Sequence, residues 1–371
     1  MIYLDWNATT KPLPEVAEAM ARAAAEAWAN PASVHTMGRK AGACVERARA
    51  FVAQLFAADL RDVVITSGGT EANNLALRSA FAQGKGNLLT SRLEHPSVTR
   101  VAEALEREGK AIVRWLNVRE DGLLDVDDVA LALQETSDVR LVTVQAVNHE
   151  TGVIQPVEAV SALAHQKGAL VHVDAVQAVS KVDLLPCSAD TIAIAAHKFR
   201  GPKGIGALVH RPGVRIVAIM CGGSQERGVR PGTVDPVAAA GMASAIEWVN
   251  RCGRRQYAAI ESQRDALESA LLGLAEGALQ NGSAKRAPHV SNLYYPRAVG
   301  PELVAALDLD GVCVSSGSAC SAGTSEPSPV LTAMVGATRA SSSVRLSMGE
   351  TLSAEEIERV VSIFRNVLLR L

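Results

Sequence analysis

The stretch Leu141-Val-Thr-Val-Gln-Ala-Val147, with Pro156-Val-Glu-Ala-Val-Ser-Ala-Leu-Ala-His-Gln-Lys167 and Ala169-Leu-Val-His-Val173 after it, decides the fold. Its first and last segments are short apolar runs bounded by turn residues, the pattern of buried strands. Between them apolar residues recur at helical spacing. A buried strand, a helix and another buried strand form a βαβ unit, whose strands lie parallel. The alternation extends in both directions. Strands are predicted at 63–66, 87–90, 112–116 and 191–195, with helices at 71–82, 97–108 and 126–134. A seventh strand at 205–210 pairs by a tight return, because Gly201-Pro-Lys-Gly204 leaves little room for a helix. The fold class is therefore α/β, with a mostly parallel seven-stranded sheet.

Outside this block the pattern changes. A short strand opens the chain, helices are predicted at 12–29 and 39–57, and Asn30-Pro-Ala-Ser33 separates them. After about residue 250 come a long helix (254–275) and strand-like 290–294 and 312–315. A C-terminal helix at 353–371 opens with Ser353-Ala-Glu-Glu356, a capping-box pattern. These features divide the chain into a large domain, 11–252, and a smaller α+β domain built from 1–10 and 253–371.

Bulk properties exclude several functions. The 371 residues carry 37 basic and 39 acidic side chains, so no global basic field exists for nucleic acid. The six cysteines contain no Cys-x-x-Cys pair and lack zinc-ligand spacing, so they read as free thiols of a reducing compartment, and no metal is expected. No signal-peptide pattern opens the chain, and the apolar run 237–246 is about half the length a membrane span needs. The cytoplasm is the expected location.

In open parallel sheets, ligands sit beyond the carboxyl ends of strands. Four predicted strands end in polar or glycine-rich segments. Ser67-Gly-Gly-Thr-Glu71 places Gly69 and Thr70 at a helix start, where backbone N–H groups and the dipole meet anions; a plain capped turn fits equally well. It matches neither a Walker loop nor a dinucleotide fingerprint. Asp174 arrives at the ligand end of its strand as a partly desolvated carboxylate needing a cation, such as a protonated pyridine nitrogen, although Asp is more commonly a helix cap there. Lys198, just past a buried strand and beside His197, is a candidate Schiff-base lysine, against the ordinary alternative of a surface lysine. Asn148, in Val147-Asn-His-Glu-Thr-Gly152, is placed to bond a ligand or to shape a turn, and His95 follows its strand in the same way.

Taken in order, Tyr3-Leu-Asp-Trp-Asn-Ala-Thr-Thr10, Thr66-Ser-Gly-Gly-Thr-Glu71, Glu94-His95, Val147-Asn-His-Glu-Thr-Gly152, His172-Val-Asp174, His197-Lys198 and Ser315-Ser-Gly-Ser-Ala-Cys320 resemble the NifS-like cysteine desulfurases. These belong to the class V branch of the aminotransferase-like enzymes that use pyridoxal 5′-phosphate (PLP), with PLP fold type I. The resemblance runs from residue 1 to residue 371. The Cys320 loop, followed by Glu326-Pro327-Ser328, points within the family to the group with a long active-site loop.

The resemblance implies a role at each matching position. Lys198 bonds PLP, Asp174 pairs with the pyridine nitrogen, and Gln177 bonds the ring hydroxyl. His95 lies over the ring. Gly69, Thr70 and His197 hold the phosphate, with Thr233 reaching it from the other subunit of a homodimer. Asn148 and Arg345 hold the substrate carboxylate, Arg345 through its planar fork; a strand-edge ion pair is the alternative for that arginine. Cys320 takes the sulfur of free L-cysteine as a persulfide, leaving alanine, and passes it to an iron–sulfur scaffold or another acceptor protein. Its loop of serines, glycines and alanines has little to bury, as suits a carrier thiol. Three departures stand out. Ala195 occupies a position where the family often has Ser, and residues 334–343 are shorter than usual and lack an acidic residue. The chain stops at Leu371 without the extension that some members use to dock a scaffold, which leaves the acceptor open. The rival readings are a selenocysteine lyase, a cysteine sulfinate desulfinase and a non-catalytic scaffold on the same fold.

Overall fold

The computed structural model describes residues 1–183, 187–317 and 326–371. Along the chain run β1 (Ile2–Tyr3), α1 (Pro14–Glu26), α2 (Thr36–Leu55), β2 (Val63–Thr66), α3 (Gly69–Ala80), β3 (Gly86–Ser91), α4 (Pro96–Arg107), β4 (Ala111–Leu116), α5 (Val126–Glu135), β5 (Val139–Gln145), α6 (Val157–Gln166), β6 (Leu170–Asp174), β7 (Thr191–Ala195) and β8 (Gly206–His210). The seven strands β2 to β8 form one sheet in the order β2-β8-β7-β6-β5-β3-β4. Five of its strands, β7 through β4 in that order, pair in parallel; helices α4, α5 and α6 make the crossovers from β3 to β6, and among the described residues no helix joins β6 to β7. The predicted βαβ unit is β5-α6-β6, with Leu141 opposite Leu170 and Gln145 opposite Asp174. The tight return also forms: β8 lies antiparallel between β7 and β2. One edge of the sheet thereby gathers Thr66, Asp174 and Ala195 at the carboxyl ends of β2, β6 and β7, with Gly206 entering β8 between Ala195 and Thr66.

Gly206 shows how tight that edge is. A Cβ on it would stand 2.4 Å from the Ile194 carbonyl oxygen and 2.8 Å from the Gly68 Cα, so β8 fits only because this residue has no side chain.

Further along come α7 (Pro236–Trp248), α8 (Arg254–Leu272), β9 (Leu279–Gln280), β10 (Val290–Tyr294), α9 (Gly300–Leu309), β11 (Val312–Cys313), α10 (Pro329–Val335), α11 (Ala337–Ser341), β12 (Ser343–Ser347) and α12 (Ala354–Arg370). The apolar run 237–246 is helix α7, which the sequence pattern did not reveal as a helix. Its hydrophobic residues surround the axis, so no amphipathic stripe marks it. Asp235 caps it through the Val237 N–H, Pro236 starts it, and Gly241 lets it approach Met20 of α1, whose Cγ lies 2.8 Å from where a Cβ would stand. Among the described residues, no helix is long and apolar enough to cross a membrane.

After α8, an antiparallel sheet β12-β10-β9 forms, and β1 pairs in parallel with β11. The start of the chain is thus stitched to its last third. An isolated bridge from Asp5 to Ser347 continues the seam. The capping box at Ser353 and Glu356 is present. Helix α9, the short helices α10 and α11, and the two-residue β9 were not predicted, being too short or too uniform to give a period.

Candidate active site

The cleft begins where β2 turns into α3. Gly68, at φ 153°, is the N-cap and supplies no side-chain cap, so the first turn of α3 presents its N–H groups outward. Gly69 is buried; a Cβ there would stand 2.6 Å from Val176 Cγ2. Thr70 follows, exposed at the rim. Burial pushes the Glu71 carboxyl up, but hydrogen bonds from Arg230 and Ser67 outweigh it and hold it below its ordinary value. The Arg230 contact, 2.9 Å from Nε to Oε1, ties the loop before α7 to this helix start.

Asp174 ends β6 and is buried. Its Oδ2 accepts from Asn73 Nδ2 at 2.7 Å and its Oδ1 from the Val176 N–H at 2.9 Å. One step further back stands His172. Burial lowers the pKa of His172 to about 3, so the ring is neutral. The Asp174 carboxylate can only accept, so Asn73 turns its Nδ2 to it and its Oδ1 to His172, whose Nε2 donates at 3.0 Å; the ring's Nδ1 lies 2.9 Å from the Thr191 hydroxyl. Among the described residues, Asp174 makes no ion pair.

Lys198 sits on the 3₁₀ turn that follows β7, Ala196–Lys198. Its Nζ donates to the Asn7 carbonyl at 2.5 Å and to the Ala8 carbonyl at 2.9 Å, so a segment 191 residues away positions the amine. Beside it, the His197 ring contacts Thr9 Oγ1 at 3.2 Å. Burial, then the charges of Lys198, Lys203 and Lys181, lower its pKa to about 4. His95 caps α4, its Nδ1 accepting from the Ser97 N–H at 3.1 Å. Burial lowers its pKa; the negative charge of Asp174 opposes that and Lys198 adds to it. The His95 ring meets His149 edge-on, with centroids 5.2 Å apart.

Arg345 enters from β12, nearly inaccessible to solvent. Nη2 pairs with Asp5 Oδ1 at 2.6 Å, Nη1 donates to the His149 carbonyl at 2.9 Å, and among the described residues Nε has no partner. The alternative of a strand-edge ion pair is thus realised, yet the two bonds use only two of the five N–H groups of the guanidinium.

Gly69, Thr70, His95, Asp174, Gln177, His197, Lys198 and Arg345 line one cleft of about 190 Å³. Two expected residues do not. Asn148 is buried with its amide turned into its own loop: Oδ1 accepts from the Glu150 N–H, the Thr151 N–H and the Thr151 hydroxyl, while Nδ2 donates to the Leu93 carbonyl. Thr233, expected to serve the cleft of the other subunit, lies exposed on the loop before α7 and does not line its own. Cys320 lies outside the described residues. Ala195 lines the cleft, as expected of the position lacking a hydroxyl.

The sequence reading also passes over residues that hold the site together. Asn7 is the hub. Its carbonyl accepts from Lys198 and Gln177, its Oδ1 meets His289 Nε2 at 2.8 Å, and its Nδ2 donates to the His149 carbonyl at 3.1 Å. It stands inside the quoted opening motif, but nothing in the motif says that it acts through its main chain. Asn73, Gln145 and His149 line the cleft too.

The site fits PLP in its donor set. An uncapped helix start and a neutral histidine suit a phosphate, a buried carboxylate without a counter-ion suits a pyridinium, and a lysine amine lies between them. Among the described residues, no cluster of His, Cys, Asp or Glu is arranged to hold a metal ion.

Residues 2–360 match the family model of the class V aminotransferases. A cysteine desulfurase of Trichormus azollae is 39% identical over 382 aligned residues, covering 100% of this chain and 94% of that protein. Among solved structures, a NifS-like protein shares 31% identity with a TM-score of 0.91, each chain covered in full. SspA in complex with cysteine has a TM-score of 0.83 at 28% identity, over 95% of this chain and 100% of that one.

Proposed function

This chain belongs to the class V aminotransferase family, and from that premise we propose that it is a cysteine desulfurase that uses PLP and carries sulfur on Cys320. The observation that carries the proposal is the convergence of Lys198, Asp174, Gln177, His95, His197 and Arg345 on one cleft from distant parts of the chain.

Each residue then has a task. The α3 start at Gly69 and Thr70, with neutral His197, holds the cofactor phosphate. Lys198 bonds the cofactor. Asp174 holds a proton on the ring nitrogen, its own position fixed by the His172–Asn73 chain. Gln177 and His95, which line the cleft, would hold the ring through its oxygen and its face. Arg345, which lines the cleft, takes the carboxylate of L-cysteine through its guanidinium. PLP, when bound, supplies an electron sink for the pair of electrons freed at the substrate Cα. Lys198 would accept the Cα proton at Nζ. The Cys320 thiolate attacks the substrate sulfur; a sulfur–sulfur bond forms, the carbon–sulfur bond breaks, and the carbon skeleton goes on to alanine. The persulfide left on Cys320 serves an iron–sulfur scaffold or another acceptor protein.

The working unit we propose is a homodimer in the cytoplasm, in which Thr233 of the partner subunit completes the phosphate site. Thr233 is exposed and does not line its own cleft, which leaves it available to a partner. The five described cysteines are all free, which agrees with a reducing compartment.

The test is to mix protein, PLP and L-cysteine and weigh the intact chain. One added sulfur that maps to Cys320, absent in Cys320→Ser while the yellow cofactor absorbance remains, is the expected result. Wild-type sulfur release by Cys320→Ser overturns the mechanism and favours a lyase that does not need the thiol.

A further inference from the structure

Behind the cleft lies a lysine to which the reaction gives no task. Lys181 is buried, and among the described residues no carboxylate pairs with it. Burial, and then the charge of Lys198, push its pKa well below the ordinary value. Such a group is costly to keep, so what it touches matters. Its Nζ donates to Gln177 Oε1 at 2.9 Å and stands 5.8 Å from the Tyr257 ring centre.

The other end of the same amide is also held. Gln177 Nε2 donates to the Asn7 carbonyl at 3.0 Å, the carbonyl that also receives Lys198. A carbonyl oxygen can only accept, so the Asn7 contact places Nε2 on that side by itself. Lys181 places Oε1 on the other side. The two contacts agree on one orientation, and the second N–H of the amide is left for the cleft that Gln177 lines.

We propose that Lys181 is a positioning residue: by holding Gln177 Oε1, it reinforces the orientation that the Asn7 carbonyl favours and keeps Gln177 a hydrogen-bond donor toward the ring oxygen of the cofactor. The proposal rests on the reading of the cleft as a PLP site. A donated N–H favours the ionised ring oxygen, whereas a flipped amide would turn its own oxygen toward it and disfavour that form. Lys181 thus acts on the cofactor's electronic state without touching it.

The test compares wild type, Lys181→Met, Gln177→Ala and the double variant by PLP affinity in equilibrium dialysis and by yellow absorbance per bound PLP at one fixed pH. The expected result is that Lys181→Met binds PLP about five- to tenfold more weakly, the worth of one well-placed hydrogen bond. It should also show less yellow absorbance per bound PLP. In the Gln177→Ala background, Lys181→Met should change neither quantity further. Lys181→Gln keeps an N–H for Gln177 Oε1 and should return the absorbance; this variant decides if the methionine protein does not fold. An unchanged Lys181→Met, an effect that persists without Gln177, or a folded Lys181→Gln with the absorbance lost overturns the proposal. A wild type that takes up no PLP overturns the reading of the cleft, and this inference with it.

Discussion

Arg345 Nη2 lies 2.6 Å from Asp5 Oδ1, while its Nη1 donates to the His149 carbonyl at 2.9 Å. The guanidinium is thus held from two sides, so the plane of its fork is fixed before any ligand arrives. A lysine has no fork and cannot satisfy both anchors while serving a carboxylate. Arg345→Lys should therefore lower kcat/KM for L-cysteine by about 10- to 100-fold, the worth of a charge-assisted hydrogen bond. Steady-state kinetics should place most of the loss in KM, with yellow absorbance retained. An unchanged KM would mean that Arg345 only ties β12 to Asp5.

Gly206 gives a prediction about the sheet edge. A Cβ there meets two backbone atoms, at Ile194 and Gly68, which no rotamer change can move aside. Gly206→Ala should cost about 2–3 kcal/mol, as overpacking of a close-packed seam does. Because Gly68 starts α3, PLP uptake should weaken as well. Urea midpoints and dialysis measure both. Stability within about 0.5 kcal/mol of wild type would contradict so tight a seam.

The large sheet was legible because its strands are short apolar runs separated by amphipathic helices, and burial imposes that pattern directly. Legible too was the gathering of Asp174, His197 and Lys198, since each directly ends or follows a buried strand. Helix α7 was not, because its half-exposed stripe carries Val237 and Ala240 beside Ser244 and Glu247, so apolar residues lie all round and leave no period. Asn7 was hidden for another reason: it works through a carbonyl oxygen that every residue possesses, and only the β1–β11 pairing brings it to Lys198. Asn148 was read as a ligand group or a turn former. The structure shows its amide spent on the turn, a choice set by three donors of its own loop.

His172 predicts how acid affects the apoprotein. Its folded pKa is about 3 against an ordinary 6.5, so between these values the unfolded chain holds a proton that the folded chain refuses. Stability should rise with pH across that window, be complete above about 6.5, and fall on acidification by an amount on the order of 4 kcal/mol. His197, with a pKa of about 4, acts in the same direction. His172→Gln keeps a donor and an acceptor but does not titrate, so its acid limb should be shallower. Urea midpoints at a series of pH values would show this, and parallel curves for the two proteins would argue against a neutral His172.

Glu94 predicts the opposite slope at higher pH. Burial first, and then the negative charge of Asp174, raise its carboxyl to about 8, with the Gln145 N–H pulling weakly the other way. Oε1 accepts that N–H at 2.7 Å, while Oε2 is buried without a partner. An acid whose folded pKa is raised holds its proton in the folded state between about 4.5 and 8, so its contribution to stability is lost as pH rises through that window. Glu94→Gln stays neutral throughout and can still accept from Gln145. It should match wild type near pH 5 and exceed it increasingly up to about pH 8, by an amount on the order of 2–4 kcal/mol. Since Asp174 adds to the shift, Asp174→Asn should end the descent at lower pH and make it smaller, and that variant separates the charge effect from burial. Denaturant midpoints of the apoproteins measure all three. If wild type and Glu94→Gln decline together above neutrality, Glu94 is ionised in the folded protein and must have a donor at Oε2.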